Sequence, residues 1–524
     1  MSRLLAFCLS AVMAVTIPLQ AHAEDEKPEE KPEPREDTIV TASIDLGDGQ
    51  SLDYTVTFGC LPVGEKAHHP QGEICYTSYL KTVEPGTRRD RPVTFSFNGG
   101  PGAASVFLHL GVAGPRRMAF PADGSIPNPP VRLQDNPETW LTHSDLVFVD
   151  PVGTGFSWVL PPPGKKPHED EGNTKDFWGF KQDLESLGRF MRIWLTRNKR
   201  WSSPKVLAGE SYGGLRVAAL MKELPTGHDI HINGALLVSP ALDYSLLTQR
   251  ERYTLLHWLM AFPSMAEAAR WHGKGQVPMP AGQTLSRREA VEQFTVTDYI
   301  SGLAQGASLP EAERNRLYGQ IAQILGLDQD YVARKSGRIE YEAFAKELLR
   351  DQGLILGRYD ATLAGPDVDR RHPHYGAGDP SFEMLMGPYT QAMMSYLTEE
   401  LGVEREERYH TLRRQVLWNW DFRNGYSGQQ GYVGTADEFA FGVTLAPEIE
   451  VLIAHGVHDL VTPYFASKYM VDQMELPDQA RKRIRFANYD GGHMYYMHDA
   501  SHKAFGKDVN AFYDSILKRL GADQ

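Results

Sequence analysis

Gly209-Glu210-Ser211-Tyr212-Gly213 sets a serine at the tip of a turn, between the apolar run Val206-Leu207-Ala208 and a helix-forming stretch over 215–221. A Gly-x-Ser-x-Gly turn of this kind lifts the hydroxyl out of a sheet, with glycines where neighbouring backbone passes closest. A serine hydroxyl is a poor nucleophile near neutral pH unless a base takes its proton, and that base needs an orienting acid. Both follow in the chain. Val451-Leu452-Ile453-Ala454 leads into His455-Gly456-Val457-His458-Asp459, and the run over 484–487 leads to Asp490-Gly491-Gly492-His493. Ser211, Asp459 and His493 are therefore expected on loops after strands of one sheet, in the order nucleophile, acid, base. Together they could carry out acyl transfer through a covalent serine intermediate.

Asn98-Gly99-Gly100-Pro101-Gly102 directly follows the strand-like Val93-Thr94-Phe95-Ser96-Phe97. Alone it reads as an ordinary Gly/Pro loop. Paired with the serine turn it becomes an oxyanion-hole loop, with the Gly100 and Tyr212 N–H groups as expected donors. Rival groups stand nearby. His455 and His458 precede the acid on the wrong strand and read as local packing or exposed groups, and His498 and His502 as helix-face residues. Asp490 is a competing acid, too close in sequence to His493 for easy Nδ1 contact. A metal held by His455, His458 and His493 has no HExxH-type helix behind it, and the chemistry calls for no metal or organic cofactor.

The elements that must position these residues are legible as well. Over 38–40, 54–58 and 74–79 the chain alternates and is broken by Gly-Asp-Gly or Pro-Gly, which suits an antiparallel leading edge. The runs at 93–97, 146–149, 206–208, 235–238, 451–454 and 484–487 lack alternation and read as parallel strands covered on both faces. Phe177, Phe180, Leu184, Leu187, Met191 and Trp194 repeat at helical spacing and read as core. Residues 245–444 look helical, with capping boxes at Ser286…Glu289 and Ser308…Glu311, the latter with Pro310 inside the first turn. The pattern predicts an α/β-hydrolase fold: a mixed, mostly parallel sheet flanked by helices, its core at 38–244 and 445–524, with a helical cap insertion at 245–444 over the substrate cleft.

Composition narrows the class. The 524 residues are long for one core, and 67 acids against 54 bases leave a net charge of −13, unlike the basic surface of a nucleic-acid binder. Residues 1–23 read as a signal peptide, with Arg3, an apolar segment and Ala21-His22-Ala23, so the chain is expected to be exported, periplasmic or secreted, without stable membrane insertion. Residues 24–37, rich in Glu, Lys and Pro, read as a disordered tether. No Asn-x-Ser/Thr acceptor occurs, in keeping with a bacterial periplasm. Cys60 and Cys75 lie in neighbouring strands. A disulfide is chemically permitted after export and worth about 3 kcal/mol, and two reduced thiols are the alternative. Oligomeric state is not encoded in any feature found.

The motifs together resemble the serine carboxypeptidase family (peptidase family S10), especially its bacterial members. The matching pieces are Asn98-Gly99-Gly100-Pro101-Gly102, Pro151-Val152-Gly153-Thr154-Gly155-Phe156-Ser157, Gly209-Glu210-Ser211-Tyr212-Gly213, Gly456-x-x-Asp459 and Gly492-His493-Met494. The resemblance implies release of C-terminal residues from peptides with a free carboxylate. It further implies that Asn98, Gly99, Glu210 and Met494 contact substrate. In the family two glutamates share protons around that carboxylate; Glu210 matches one, and Val112 stands in the place of the other. Phe97 replaces a common Trp, Ala103 a common Cys, and Tyr495-Tyr496 the usual Val-Pro. A protonated Glu210 is then expected to donate directly to the substrate carboxylate. Arg116 or Arg117 could add a cation, or both could simply be exposed. An esterase or acyltransferase using the same triad is the alternative function, and a catalytically silent binding protein a further one.

Overall fold

The computed structural model describes residues 36–522, except 65–70, 85, 162–172, 249–252, 280–284, 377, 424–429 and 431–432. The expected signal at 1–23, and all but the last two residues of the tether at 24–37, lie outside the described residues. Three antiparallel strands come first: β1 (Thr38–Gly47), β2 (Gln50–Val63) and β3 (Gly72–Lys81). The β1–β2 turn runs through Gly47, Asp48 and Gly49 at φ of 87°, 50° and 75°, a backbone that glycine adopts without a Cβ clash. Cys60 and Cys75 are direct partners across β2 and β3 and are joined by a disulfide.

β4 (Val93–Phe97), β5 (Asp145–Val149) and the short β6 (Trp158–Val159) follow, then β7 (Lys205–Glu210), β8 (Gly234–Val238), β9 (Glu450–Gly456) and β10 (Ile484–Tyr489). The sheet has ten strands in the order β1-β2-β3-β5-β4-β7-β8-β9-β10, with β6 paired to β3. From β5 to β10 the pairing is parallel. β4, β5, β7, β8 and β9 are buried along their whole length, as unalternating apolar strands between two helical layers must be. β10 departs from that expectation. It ends the sheet, so one side has no neighbour, and Phe486 is 39% exposed.

Helix α1 (Phe180–Arg197) buries Phe180, Leu184, Leu187, Met191 and Trp194 in the core, and Trp194 meets Phe95 of β4 edge-on at 5.3 Å. Each such side chain contributes about 1.5–3 kcal/mol through burial. Helix α2 (Tyr212–Gly227) starts at the serine turn. Residues 239–449 separate β8 from β9. They hold the helices Phe262–Trp271, Arg287–Phe294 and Glu311–Leu325, then α3 (Met386–Ser395), and also a two-stranded ribbon pairing Leu354–Leu356 with Ala364–Pro366. The segment expected to be helical thus carries strands too. Its Trp258, Leu259 and Phe262 share one buried cluster with Val217 and Ala218 of α2.

The Ser286…Glu289 capping box forms. The one at Ser308…Glu311 does not: the Ser308 hydroxyl donates backwards to the Gln305 carbonyl at 2.7 Å, and Pro310 sits before the helix rather than inside it. Among the described residues no helix is long and apolar enough to cross a membrane.

Candidate active site

Four loops meet at the carboxyl edge of the sheet, after β4, β7, β9 and β10. At the end of β7, Ser211 adopts φ 62° and ψ −124°, a conformation that costs a non-glycine residue about 1–3 kcal/mol. Hydrogen bonds over-determine it. Ser211 N–H donates to the Val238 carbonyl at 3.0 Å, and the Ser211 carbonyl accepts from Gly214 at 2.9 Å and Ala241 at 3.0 Å. The flanking glycines are steric requirements: a Cβ on Gly209 would collide with the Gly213 carbonyl, and one on Gly213 with the Phe97 carbonyl.

Asp459 and His493 are both buried, and His493 Nδ1 lies 2.7 Å from Asp459 Oδ2. That carboxylate also accepts from the Val461 and Thr462 N–H groups at 2.8 and 3.0 Å and from the Thr462 hydroxyl at 2.6 Å. Burial alone would raise the Asp459 pKa, but the His493 charge and these donors hold it below the ordinary carboxylate value. Burial depresses His493 likewise, yet Asp459 and then Glu210 keep its pKa above the usual imidazole value. No hydrogen bond joins the Ser211 hydroxyl to His493 among the described residues. The strand end after β8 links the two instead: Ser239 Oγ donates to the His493 carbonyl at 2.8 Å, two residues before Ala241 binds Ser211.

The loop after β4 leans on this turn. A Cβ on Gly99 would lie 2.5 Å from Tyr212 N and 2.9 Å from Ser211 Cβ, so the two backbones touch only because Gly99 has no side chain. Gly100 follows at φ 101°. Asn98 is held from three sides: its Oδ1 accepts from Leu108 N–H at 3.0 Å, its carbonyl from Arg216 Nη1 at 2.5 Å, and its Nδ2 donates to Glu210 Oε2 at 3.1 Å. The same Oε2 accepts from the Tyr496 hydroxyl at 2.8 Å. Glu210 is 3% exposed, and burial pushes its pKa up to about 7 against the opposing pull of His493, Tyr496 and Asn98. Met494 is buried and heads the turn Tyr495–Met497.

A family model described as Serine carboxypeptidase matches residues 76–293, which hold the motifs at 98–102, 151–157 and 209–213. Over these residues the chain is similar to the serine carboxypeptidase family. Serine carboxypeptidase-like 2 of Arabidopsis thaliana is 29% identical over 204 residues, 37% of this chain and 42% of the relative. Serine carboxypeptidase-like 1 of the same plant is 30% identical over 215 residues, 39% and 44% respectively. The chain thus aligns with less than half the length of these curated relatives. Among solved structures, a proline iminopeptidase of Mycobacterium smegmatis covers 92% of this chain and 100% of its own, at 14% identity and a TM-score of 0.34, too loose a likeness to inform function. Asp459 and His493 fall outside the family match and stand on geometry alone.

Some neighbours of the site match the sequence reading and others differ. His455 and His458 are local packing, as one of the two readings had them: His455 Nε2 meets Ser467 Oγ at 3.0 Å, and His458 packs against Trp271. Burial lowers the pKa of both. Their nitrogens and those of His493 do not gather within 4.8 Å as a ligand set. His498 and His502 are buried with partners, Asp360 at 2.8 Å and Asn136 at 3.2 Å, because the final helix packs inward there. Asp490 is exposed. Arg117 is buried, not exposed. Its Nε donates to the Gly111 carbonyl at 3.0 Å and its Nη2 to the Tyr496 carbonyl at 2.9 Å, while Arg116 pairs with Asp135 and Glu400.

Three residues escaped sequence reasoning. Thr462 Oγ1 stands 2.9 Å from His493 Nδ1 as well as against Asp459, and its place three residues past the acid was the available signal. Tyr359 faces the His493 ring edge-on at 5.4 Å, and its carbonyl takes the His493 N–H at 2.5 Å. Tyr496 reaches Glu210 from 286 residues away. Nothing local marked Tyr359, and Tyr496 stood out only as a departure from the usual Val-Pro.

Proposed function

We propose that this chain is an exported serine carboxypeptidase that releases C-terminal residues from peptides. The observation that carries the reading is the 2.7 Å contact from His493 to Asp459 at the sheet edge where the strained Ser211 turn opens. Ser211 Oγ attacks the carbonyl carbon of the last peptide bond while His493 Nε2 takes the hydroxyl proton. Asp459 fixes the imidazole tautomer and stabilises the imidazolium. The Gly100 and Tyr212 N–H groups hold the oxyanion. The bond to nitrogen breaks, the leaving amino acid takes the proton from His493, and water then cleaves the acyl-enzyme by the same route.

Asn98, Gly99 and Glu210 bind the terminal carboxylate, with Met494 beside them. Below about pH 7 Glu210 is protonated and donates to that carboxylate; above it, the two negative charges repel. Export is supported by the N-terminal pattern, and the Cys60–Cys75 bridge suits an oxidising compartment. Time-resolved mass spectrometry of N-blocked peptides tests the reading. Stepwise loss of single residues from the carboxyl end is expected, and activity on simple esters alone would transfer the chain to the esterase or acyltransferase class.

A further inference from the structure

Glu210 Oε2 already accepts two hydrogen bonds, from Asn98 Nδ2 and the Tyr496 hydroxyl. An oxygen so occupied is a poor seat for the acid proton, which belongs on Oε1; that atom has no hydrogen-bond partner among the described residues. We infer that Tyr496 is a positioning residue for terminal-carboxylate recognition: with Asn98 it turns the Glu210 carboxyl so that its proton points from Oε1 at the carboxylate of the bound peptide. The inference rests on the carboxypeptidase reading above.

The surroundings of Tyr496 are built for this. Arg117 donates to its carbonyl and to that of Gly111, tying the turn that bears Tyr496 to the turn that holds Val112. A Cβ on Gly111 would meet Tyr496 Cε2 at 2.6 Å and the Tyr389 hydroxyl at 2.8 Å, so Gly111 makes room for both rings. Val112 is apolar and buried, leaving Tyr496 and Asn98 as the donors on the Glu210 carboxyl. The titratable groups facing Glu210 are His493 after β10, Asp459 after β9, Tyr495 and Tyr496 on their turn, and Tyr389 on α3, with Arg117 behind Tyr496. Of these, the Tyr496 bond favours the ionised carboxyl, so its loss shifts Glu210 towards the protonated form at a given pH.

Binding to the inactive Ser211→Ala protein tests the inference without turnover. Calorimetry at pH 5 and pH 8 compares an N-blocked peptide with its C-terminal amide. The expected result is preference for the acid at pH 5, weakened at pH 8. Adding Tyr496→Phe is expected to cut the pH 5 preference about tenfold and to move its decline to higher pH. Adding Glu210→Gln, which keeps a donor without a charge, is expected to leave a preference independent of pH. An unchanged preference and pH dependence in the Tyr496→Phe protein overturns the inference, as does equal binding of acid and amide before that change. Failure of the carboxypeptidase reading shows elsewhere, as wild-type protein that releases no C-terminal residue.

Discussion

Arg216 Nη1 donates to the Asn98 carbonyl at 2.5 Å, so the helix launched by the serine turn holds the glycine loop in place. The same guanidinium is anchored by Asp183 Oδ2 on α1 at 2.6 Å, and both side chains are buried. The serine turn, the glycine loop and the Asn98 amide are thereby one mechanical unit. Arg216→Met leaves Asp183 buried without its counter-charge. The expected cost is about 3–5 kcal/mol, read as a lowered midpoint in urea denaturation.

Ser211→Ala removes the proposed nucleophile and leaves every backbone bond of the turn intact. The kcat on an N-blocked peptide is expected to fall at least about 10⁴-fold, and covalent labelling by a fluorophosphonate to vanish. Retained labelling at another serine sinks the assignment.

Thr462→Val keeps shape and deletes the hydroxyl that touches both Asp459 and His493. The loss of one hydrogen bond to a charged group, worth about 1.5–3 kcal/mol, should lower kcat roughly tenfold or more with little change in KM. Steady-state kinetics on a single peptide decides it.

The pH profile follows from Glu210 and His493 as a coupled pair. The proposed mechanism needs neutral His493, whose pKa lies above its usual value, so activity should fall on the acid side; it needs protonated Glu210, so binding should fall above about pH 7. Glu210→Gln removes the negative charge that helps raise His493. The acid limb of kcat should therefore move to lower pH and the alkaline rise in KM should disappear. A profile identical to wild type excludes this role for Glu210.

Glu210 also links folding to pH. Its folded pKa lies above its unfolded value, so the native state holds the proton more tightly, and stability is lost as pH rises from about 4.5 to about 7. The thermal midpoint of Glu210→Gln should gain on wild type at pH 8 and not at pH 4.5.

The sequence alone carried the core strands, the serine turn and the placement of Asp459 and His493 on loops after successive strands, because each is marked by a short pattern of neighbouring residues. Gly209 is a glycine because a Cβ there strikes the Gly213 carbonyl, a constraint written within five residues, whereas Gly213 clears the Phe97 carbonyl on a distant strand. The two cysteines sit on strands that alternate and break at turns, so their pairing was a short-range possibility. Other features depended on what else came near. Ser308 had the spacing of a cap but found the Gln305 carbonyl first, and the run at 484–487 looked interior until its place at the sheet edge left Phe486 in water. Arg117 looked exposed and is buried under the turn that carries Tyr496. Only the tertiary structure decided the partners of Glu210, since a hydrogen bond between residues 210 and 496 is set by where two distant loops stop, and spacing along a chain says nothing about that distance.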